Sequence, residues 1–198
     1  MLLLINNSTD GNVLSYIFQV RKTLKDLNIP FIERNKIDET IIENKHLISG
    51  IILLGSPMTI INDPMTNFNF DIYYLLHLNV PVLGICFGCQ LLTVLNGGSL
   101  IDRGKLFCET VPVETANHML FKNMIHKELK FCFSNLPVAP KKSNVVKEIA
   151  WININGKTHG IAFEFKKNKM FGILGHPEIH EYSRIIYKNF ATFCGERI

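Results

Sequence analysis

Cys86 lies between two glycines in Gly84-Ile85-Cys86-Phe87-Gly88-Cys89-Gln90, directly after the apolar run Val80-Pro81-Val82-Leu83. A helix-like stretch, Gln90–Asn96, follows it. This is the layout of a nucleophile on a sharp strand-to-helix turn. The glycines keep side chains out of the crowded turn, and the nucleophile stands at the C-terminal edge of a sheet. A thiol at a helix N-terminus also feels the positive end of the dipole, which favours the attacking thiolate. His176-Pro177-Glu178 follows an expected strand over Met170–Leu174. Glu178, two residues on, can reach the same side as the imidazole and hold one ring nitrogen, which makes His176 the base and Glu178 its orienter.

Gly55-Ser56-Pro57 closes another apolar run, Gly50–Leu54. Glycine and proline there suit a plain turn. They also suit an oxyanion hole, in which a backbone N–H at Gly55-Ser56 joins the N–H of Phe87 in binding a developing negative oxygen. Other readings of the cysteines exist. Cys86-Phe87-Gly88-Cys89 has the C-x-x-C spacing of disulfide exchange, but Gly84, the Gly88-Cys89-Gln90 continuation and the distant His176-x-Glu178 have no part in that chemistry. Cys86, Cys89, His176 and His180 do not have the paired spacing of a zinc site. His46, His77, His118, His126, His159 and His180 lack a partner pattern and read as surface or packing residues.

The elements that must position these groups alternate in the first half. Leu2–Ile5 reads as a strand and Val13–Leu27 as an amphipathic helix closed by Asn28. Ile29–Ile32 reads as a strand, Ile41–Leu47 as a short helix, Gly50–Leu54 as a strand, Asn69–Leu78 as a helix and Val80–Ile85 as a strand. Fully apolar strands alternating with helices imply a parallel sheet covered on both faces, with ligands beyond the strands' C-terminal ends. After Gly97-Gly98 the chain reads as strands at Glu109–Glu114, Leu129–Phe133, Val145–Ile154, His159–Phe165 and Met170–Leu174. Asn155-Gly156 and Asn168 mark hairpin turns, 137–143 is a polar loop, and Ile185–Phe193 is a closing helix stopped by Gly195. The expected fold is α/β, with an open, mainly parallel central sheet, helices on both faces and a small antiparallel sheet from the C-terminal half.

The 198 residues suffice for one well-buried domain over 1–198. The net charge of +4 is mild and scattered, which argues against a nucleic-acid partner. Its densest group, Lys166-Lys167 with Lys169, reads as a solvated turn. The apolar start Met1–Ile5 is too short for a signal-peptide core or a membrane span, so no membrane partner is expected. Five cysteines, an odd number, with no export signal read as reduced thiols in a cytoplasmic protein.

Taken together, Gly84-Ile85-Cys86-Phe87-Gly88-Cys89-Gln90, His176-Pro177-Glu178 and Gly55-Ser56-Pro57 resemble the class I (triad) glutamine amidotransferases, whose fold is flavodoxin-like. The elbow matches the family's G-x-C-x-G-x-Q, the second motif is its H-P-E, and the third stands where the family has G-G-P. Within the family the chain is most similar to the stand-alone amidotransferase subunits of GMP synthetase, through Leu4-Ile5-Asn6-Asn7, Leu120-Phe121-Lys122-Asn123 and the end Lys188-Asn189-Phe190 with Cys194-Gly195. The resemblance implies hydrolysis of L-glutamine through a Cys86 γ-glutamyl thioester. His176 and Glu178 complete the triad, the Ser56 and Phe87 amides bind the oxyanion, and Gln90 helps hold the substrate. It implies no metal or other cofactor, and it implies that a separate synthetase accepts the ammonia. Ser134 and Asn135 fall in the family segment that lines the glutamine pocket or the partner face. The chain departs from the family pattern at Ser56, at Cys89, at Leu174-Gly175 and at Phe133–Leu136, where the family's His and Asp are absent. The last departure leaves a γ-glutamyl peptidase-like hydrolase, or a non-catalytic regulatory homologue, as alternatives.

Overall fold

The computed structural model describes residues 1–7, 14–56, 60, 68–101, 105–135, 139–140, 145–154, 156–166 and 169–197. In chain order these form β1 (Leu2–Ile5), α1 (Leu14–Asp26), β2 (Phe31–Arg34), α2 (Glu39–Glu43), β3 (Gly50–Leu53), α3 (Asn69–His77), β4 (Val82–Ile85), α4 (Phe87–Leu95) and β5 (Leu100–Ile101). The second half adds β6 (Lys105–Pro112), β7 (Glu114–Thr115), β8 (Glu128–Asn135), β9 (Ala139–Pro140), β10 (Val146–Ile154), β11 (Lys157–Phe165), β12 (Met170–Ile173) and α5 (Ile185–Phe193).

The central sheet has the order β2-β1-β3-β4-β12-β11-β10-β7. Its first five strands are parallel, and β11, β10 and β7 extend it antiparallel. Among the parallel strands this is the flavodoxin-like 2-1-3-4-5 order. Every residue of β1, β3 and β4 is buried, as both-face coverage requires. The connections to β2 and to β4 and β12 run in opposite directions from β1, so right-handed crossovers put α1 on one face and α3 and α4 on the other. The small antiparallel sheet expected in the C-terminal half is β6 with β8, and β5 pairs separately with β9. Ala139–Pro140 thus form a short strand within the expected 137–143 loop, whose other positions, like Val13, Asn155 and Asn168, lie outside the described residues. Among the described residues no helix is long and apolar enough to cross a membrane.

The start of β2 shifts from the sequence reading for a local reason. Asn28 adopts φ 54°, which lets the Ile29 N–H donate to Leu24 C=O at 2.8 Å and the Asn28 N–H to Lys25 C=O at 3.0 Å. This left-handed cap consumes Ile29, and the strand starts at Phe31 instead. Gly195, φ 87°, closes α5 in the same way, with the Glu196 N–H on Ala191 C=O at 3.0 Å. The Ile41–Leu47 segment divides into α2 and a separate 3-10 turn, Lys45–Leu47.

The turn at Cys86 has no spacer between strand and helix. Cys86 takes φ 51° and ψ −106°, a left-handed conformation costly for a residue with a Cβ. Its N–H donates to Ile173 C=O at 2.7 Å, which ties the turn to β12. Its own carbonyl accepts from the Cys89 and Gln90 N–H groups at 3.0 and 3.3 Å, so α4 begins at Phe87 and not at Gln90. The close crossing of strand and helix depends on two glycines. A methyl group at Gly84 would sit 2.5 Å from the Gly88 carbonyl, and one at Gly88 would sit 2.5 Å from the Leu53 carbonyl oxygen.

Both constraints are testable by denaturant unfolding. Gly84→Ala forces backbone apart from backbone, and a loss of about 3 kcal/mol is expected; a loss under ~0.5 kcal/mol would mean the contact relaxes freely. At the turn itself, Cys86→Gly should be more stable than Cys86→Ala by roughly 1 kcal/mol, because only glycine removes the left-handed strain. Equal stability would show that the turn stores none.

Candidate active site

Register brings the motif residues together. Leu53 of β3 pairs with Gly84 of β4, and Ile173 of β12 pairs with Ile85. Running each strand on by two or three residues puts Gly55, Cys86 and His176 at three neighbouring C-terminal ends. A Cβ built on Gly55 would lie 3.6 Å from both Cys86 Cβ and His176 Cε1, so the Gly55 backbone borders the two side chains. Cys86 is partly exposed, whereas His176 and Glu178 are only 5% and 1% exposed.

His176 Nδ1 lies 2.8 Å from Glu178 Oε1. The other carboxylate oxygen, Oε2, accepts a 2.9 Å hydrogen bond from the Tyr187 hydroxyl on α5. The Cys86 side chain hydrogen-bonds the imidazole, and Nε2 is the nitrogen left for it. Burial opposes an imidazolium here, but the Glu178 charge and the hydrogen bonds to Cys86 and Glu178 outweigh it and raise His176 well above the ordinary histidine range. An imidazole of raised proton affinity thus stands beside the thiol. Burial, and then the neighbouring Glu178, push the Tyr187 phenol well above its usual value, so Tyr187 stays a neutral donor.

Two further residues support His176 and its turn, one distant in the chain and one close. Tyr16 of α1 stacks on the imidazole, with centroids 4.4 Å apart and planes 30° apart. Ser183 Oγ lies 2.7 Å from Pro177 O and 2.9 Å from His180 O, which pins the turn carrying Pro177 and Glu178. The sequence reading named neither Tyr16, Tyr187 nor Ser183. The signal for Tyr187 was its place on the apolar stripe with Ile186, Phe190 and Ala191, all buried, since a buried tyrosine needs a partner for its hydroxyl. Tyr16 carried a weaker one, four residues before the buried Val20.

The expected oxyanion and substrate positions divide into four groups. Gly55 and Phe87 border Cys86, and the Phe87 N–H is in the first turn of α4, where amides lack intrahelical partners. The Phe87 ring packs on Phe68 at 4.9 Å. Ser56 donates through Oγ to the Asn7 carbonyl at 3.2 Å, so its side chain is tied to the end of β1. Pro57 lies outside the described residues. Gln90, one turn after Cys86 on the same helix face, has a buried Oε1 with no partner among the described residues. Ser134 and Asn135 end β8 in the ladder with β6, where Asn135 pairs with Lys105, and their side chains lie outside the described residues.

The disulfide-exchange reading fits poorly. Cys89 is fully buried, and a Cβ on Gly172 would sit 2.5 Å from its Sγ, so the thiol fills the space that Gly172 leaves. Burial, then the nearby Cys86, push it well above the ordinary thiol range. Cys86, Cys89 and Cys194 are free thiols. Among the described residues no three His, Cys, Asp or Glu side chains are grouped to hold a metal ion. His180 faces Thr110 Oγ1 at 2.8 Å and stacks on Tyr182, and His118 Nδ1 accepts from the Leu120 N–H at 3.3 Å.

The chain is similar to known proteins over most of its length. A subunit of the glutamine-hydrolyzing GMP synthase of Methanococcus vannielii is 27% identical over 202 residues, covering 98% of this chain and 97% of that protein. The glutamine-hydrolyzing GMP synthase of Debaryomyces hansenii is 28% identical over 181 residues; 89% of this chain spans only 32% of that protein. In fold, the chain is similar to a GMP synthase subunit-like protein from Thermoplasma acidophilum, with TM-score 0.76, 18% identity and coverage of 98% of this chain and 93% of that one. The family described as glutamine amidotransferase class-I matches residues 7–190, and the chain belongs to that family.

Proposed function

We propose that the chain hydrolyses L-glutamine to glutamate and ammonia through a γ-glutamyl thioester on Cys86, and delivers the ammonia to a separate synthetase. The observation that carries this reading is the unbroken chain Cys86–His176–Glu178–Tyr187 at a strained strand-to-helix turn. Cys86 Sγ attacks the side-chain amide carbon, and His176 takes the thiol proton and returns it to the departing ammonia. Water, deprotonated by His176, then splits the thioester and restores the thiol. Glu178 orients His176 and balances its charge, and Tyr187 holds Glu178 in turn. The Phe87 amide, with that of Ser56, receives the oxyanion of each tetrahedral intermediate. Gln90 contributes an acceptor that glutamine's ammonium or amide N–H can satisfy. No cofactor takes part.

The full-length overlap with a protein named as one subunit of GMP synthase, and the one-third overlap with a longer GMP synthase, support an acceptor on a different chain. GMP synthetase is the proposed acceptor, and the match over residues 7–190 supports one amidotransferase domain. The free thiols suit a reducing cytoplasm.

Glutamate release from L-glutamine, with and without a candidate synthetase, tests the reading. Cys86→Ala is expected to abolish turnover while leaving the circular dichroism spectrum unchanged; full activity in that variant would remove the mechanism. Hydrolysis of γ-glutamyl peptides without hydrolysis of glutamine would replace the amidotransferase by a peptidase. Tyr187→Phe leaves one buried carboxylate oxygen unpartnered, and a loss of about tenfold in kcat with KM little changed is expected.

A further inference from the structure

Asn7, just beyond β1, and Asp71, in the first turn of α3, meet in the interior, 2% and 0% exposed. The Asn7 side-chain N–H donates to Asp71 Oδ1 at 2.7 Å. This bond leaves one oxygen on each group, Asn7 Oδ1 and Asp71 Oδ2, enclosed and without a partner among the described residues. Two buried acceptors left over from one amide–carboxyl contact is an expensive arrangement, because each forfeits its water. A single proton on the carboxyl satisfies both.

We propose that Asp71 is a positioning residue, an un-ionised carboxylic acid whose O–H donates to Asn7 Oδ1. The acid and the amide then form a ring of two hydrogen bonds that clamps the end of β1 to α3. What the clamp holds is the Ser56 turn, since Ser56 Oγ bonds to the backbone carbonyl of that same Asn7. The clamp is thus a rigid support running from α3 through Asn7 to the turn whose amide is assigned to the oxyanion, and in this functional part it rests on the function proposed above.

The surroundings of Asp71 favour the protonated acid. Among the described residues no Lys, Arg or His forms an ion pair with it. The groups acting on its carboxyl are Asn7 and its own backbone N–H. Burial raises the carboxyl to about 7, against the smaller pull of those two hydrogen bonds. A carboxyl raised in the folded state binds a proton that the unfolded chain lacks. Its stabilisation is therefore complete below the unfolded value of 3.8 and lost as pH rises through about 7.

Three measurements on the full chain test this. Infrared difference spectra of wild type minus Asp71→Asn, at mildly acidic pH and with isotope-labelled aspartate, should show the carbonyl band of a protonated acid; its absence overturns the proposal. The Tm of wild type should fall relative to that of Asp71→Asn as pH rises between about 4 and 7; parallel curves overturn it. In glutaminase assays Asp71→Asn, which keeps a neutral two-bond pair, should hold kcat within about threefold of wild type, while Asp71→Leu should lower kcat by about tenfold or more with KM little changed. A folded Asp71→Leu protein with wild-type kcat would overturn the positioning role. If wild type hydrolyses no glutamine, the function proposed above fails, while the infrared and thermal results still decide the state of the clamp.

Discussion

The structure around Cys86 depends on how closely α4 can approach the sheet. Gly84 and Gly88 leave no side chain between strand and helix, so α4 packs backbone against backbone on β4 and β3. A helix so close must start where the strand stops, which leaves Cys86 alone to make the change of direction and puts it in a left-handed conformation. Helix dipole, partly exposed thiol and neighbouring strand ends then converge without any loop to hold them. The strain at one residue is the cost of precision at that residue, and the dense packing of β3, β4 and β12 supports it.

The second requirement is electrostatic. His176 and Glu178 are almost wholly buried, and a buried carboxylate needs every lone pair engaged. One oxygen faces His176 and the other receives Tyr187. The stacked Tyr16 covers a face of the imidazole and limits its rotation. Residues from α1, from the segment after β12 and from α5 thus act on one ring, so the geometry of the imidazole is a property of the whole sheet-and-helix sandwich and not of the His176–Glu178 segment alone.

Much of this was legible in the order of residues. A thiol between glycines after an apolar strand, and a histidine with a carboxylate two positions on, are patterns that chemistry restricts strongly. The parallel strands were legible because both faces are buried and the runs are continuously apolar. What escaped detection depends on contacts between distant segments. Tyr187 reads as one more core aromatic, Asp71 reads as an ordinary polar residue on a helix, and nothing local links Asp71 to Asn7, 64 positions away. Phe87-Gly88-Cys89 reads as loop because glycine is a poor helix former, yet the tight crossing demands it there. Cys89 and Gly172 are complementary in volume, a sulfur in one element and a missing methyl in the other, which no single segment reveals.

The strand order has a consequence for the sequence in which the molecule comes together. β12 lies between β4 and β11, yet it is made some 85 residues after β4. Until that segment arrives, the edge of β4 is open, the Cys86 N–H lacks the Ile173 carbonyl and the thiol has no imidazole beside it. The turn at Cys86 is therefore completed only by the last strand of the chain, and the closure of a long chain loop, an entropic event, becomes the step that fixes it.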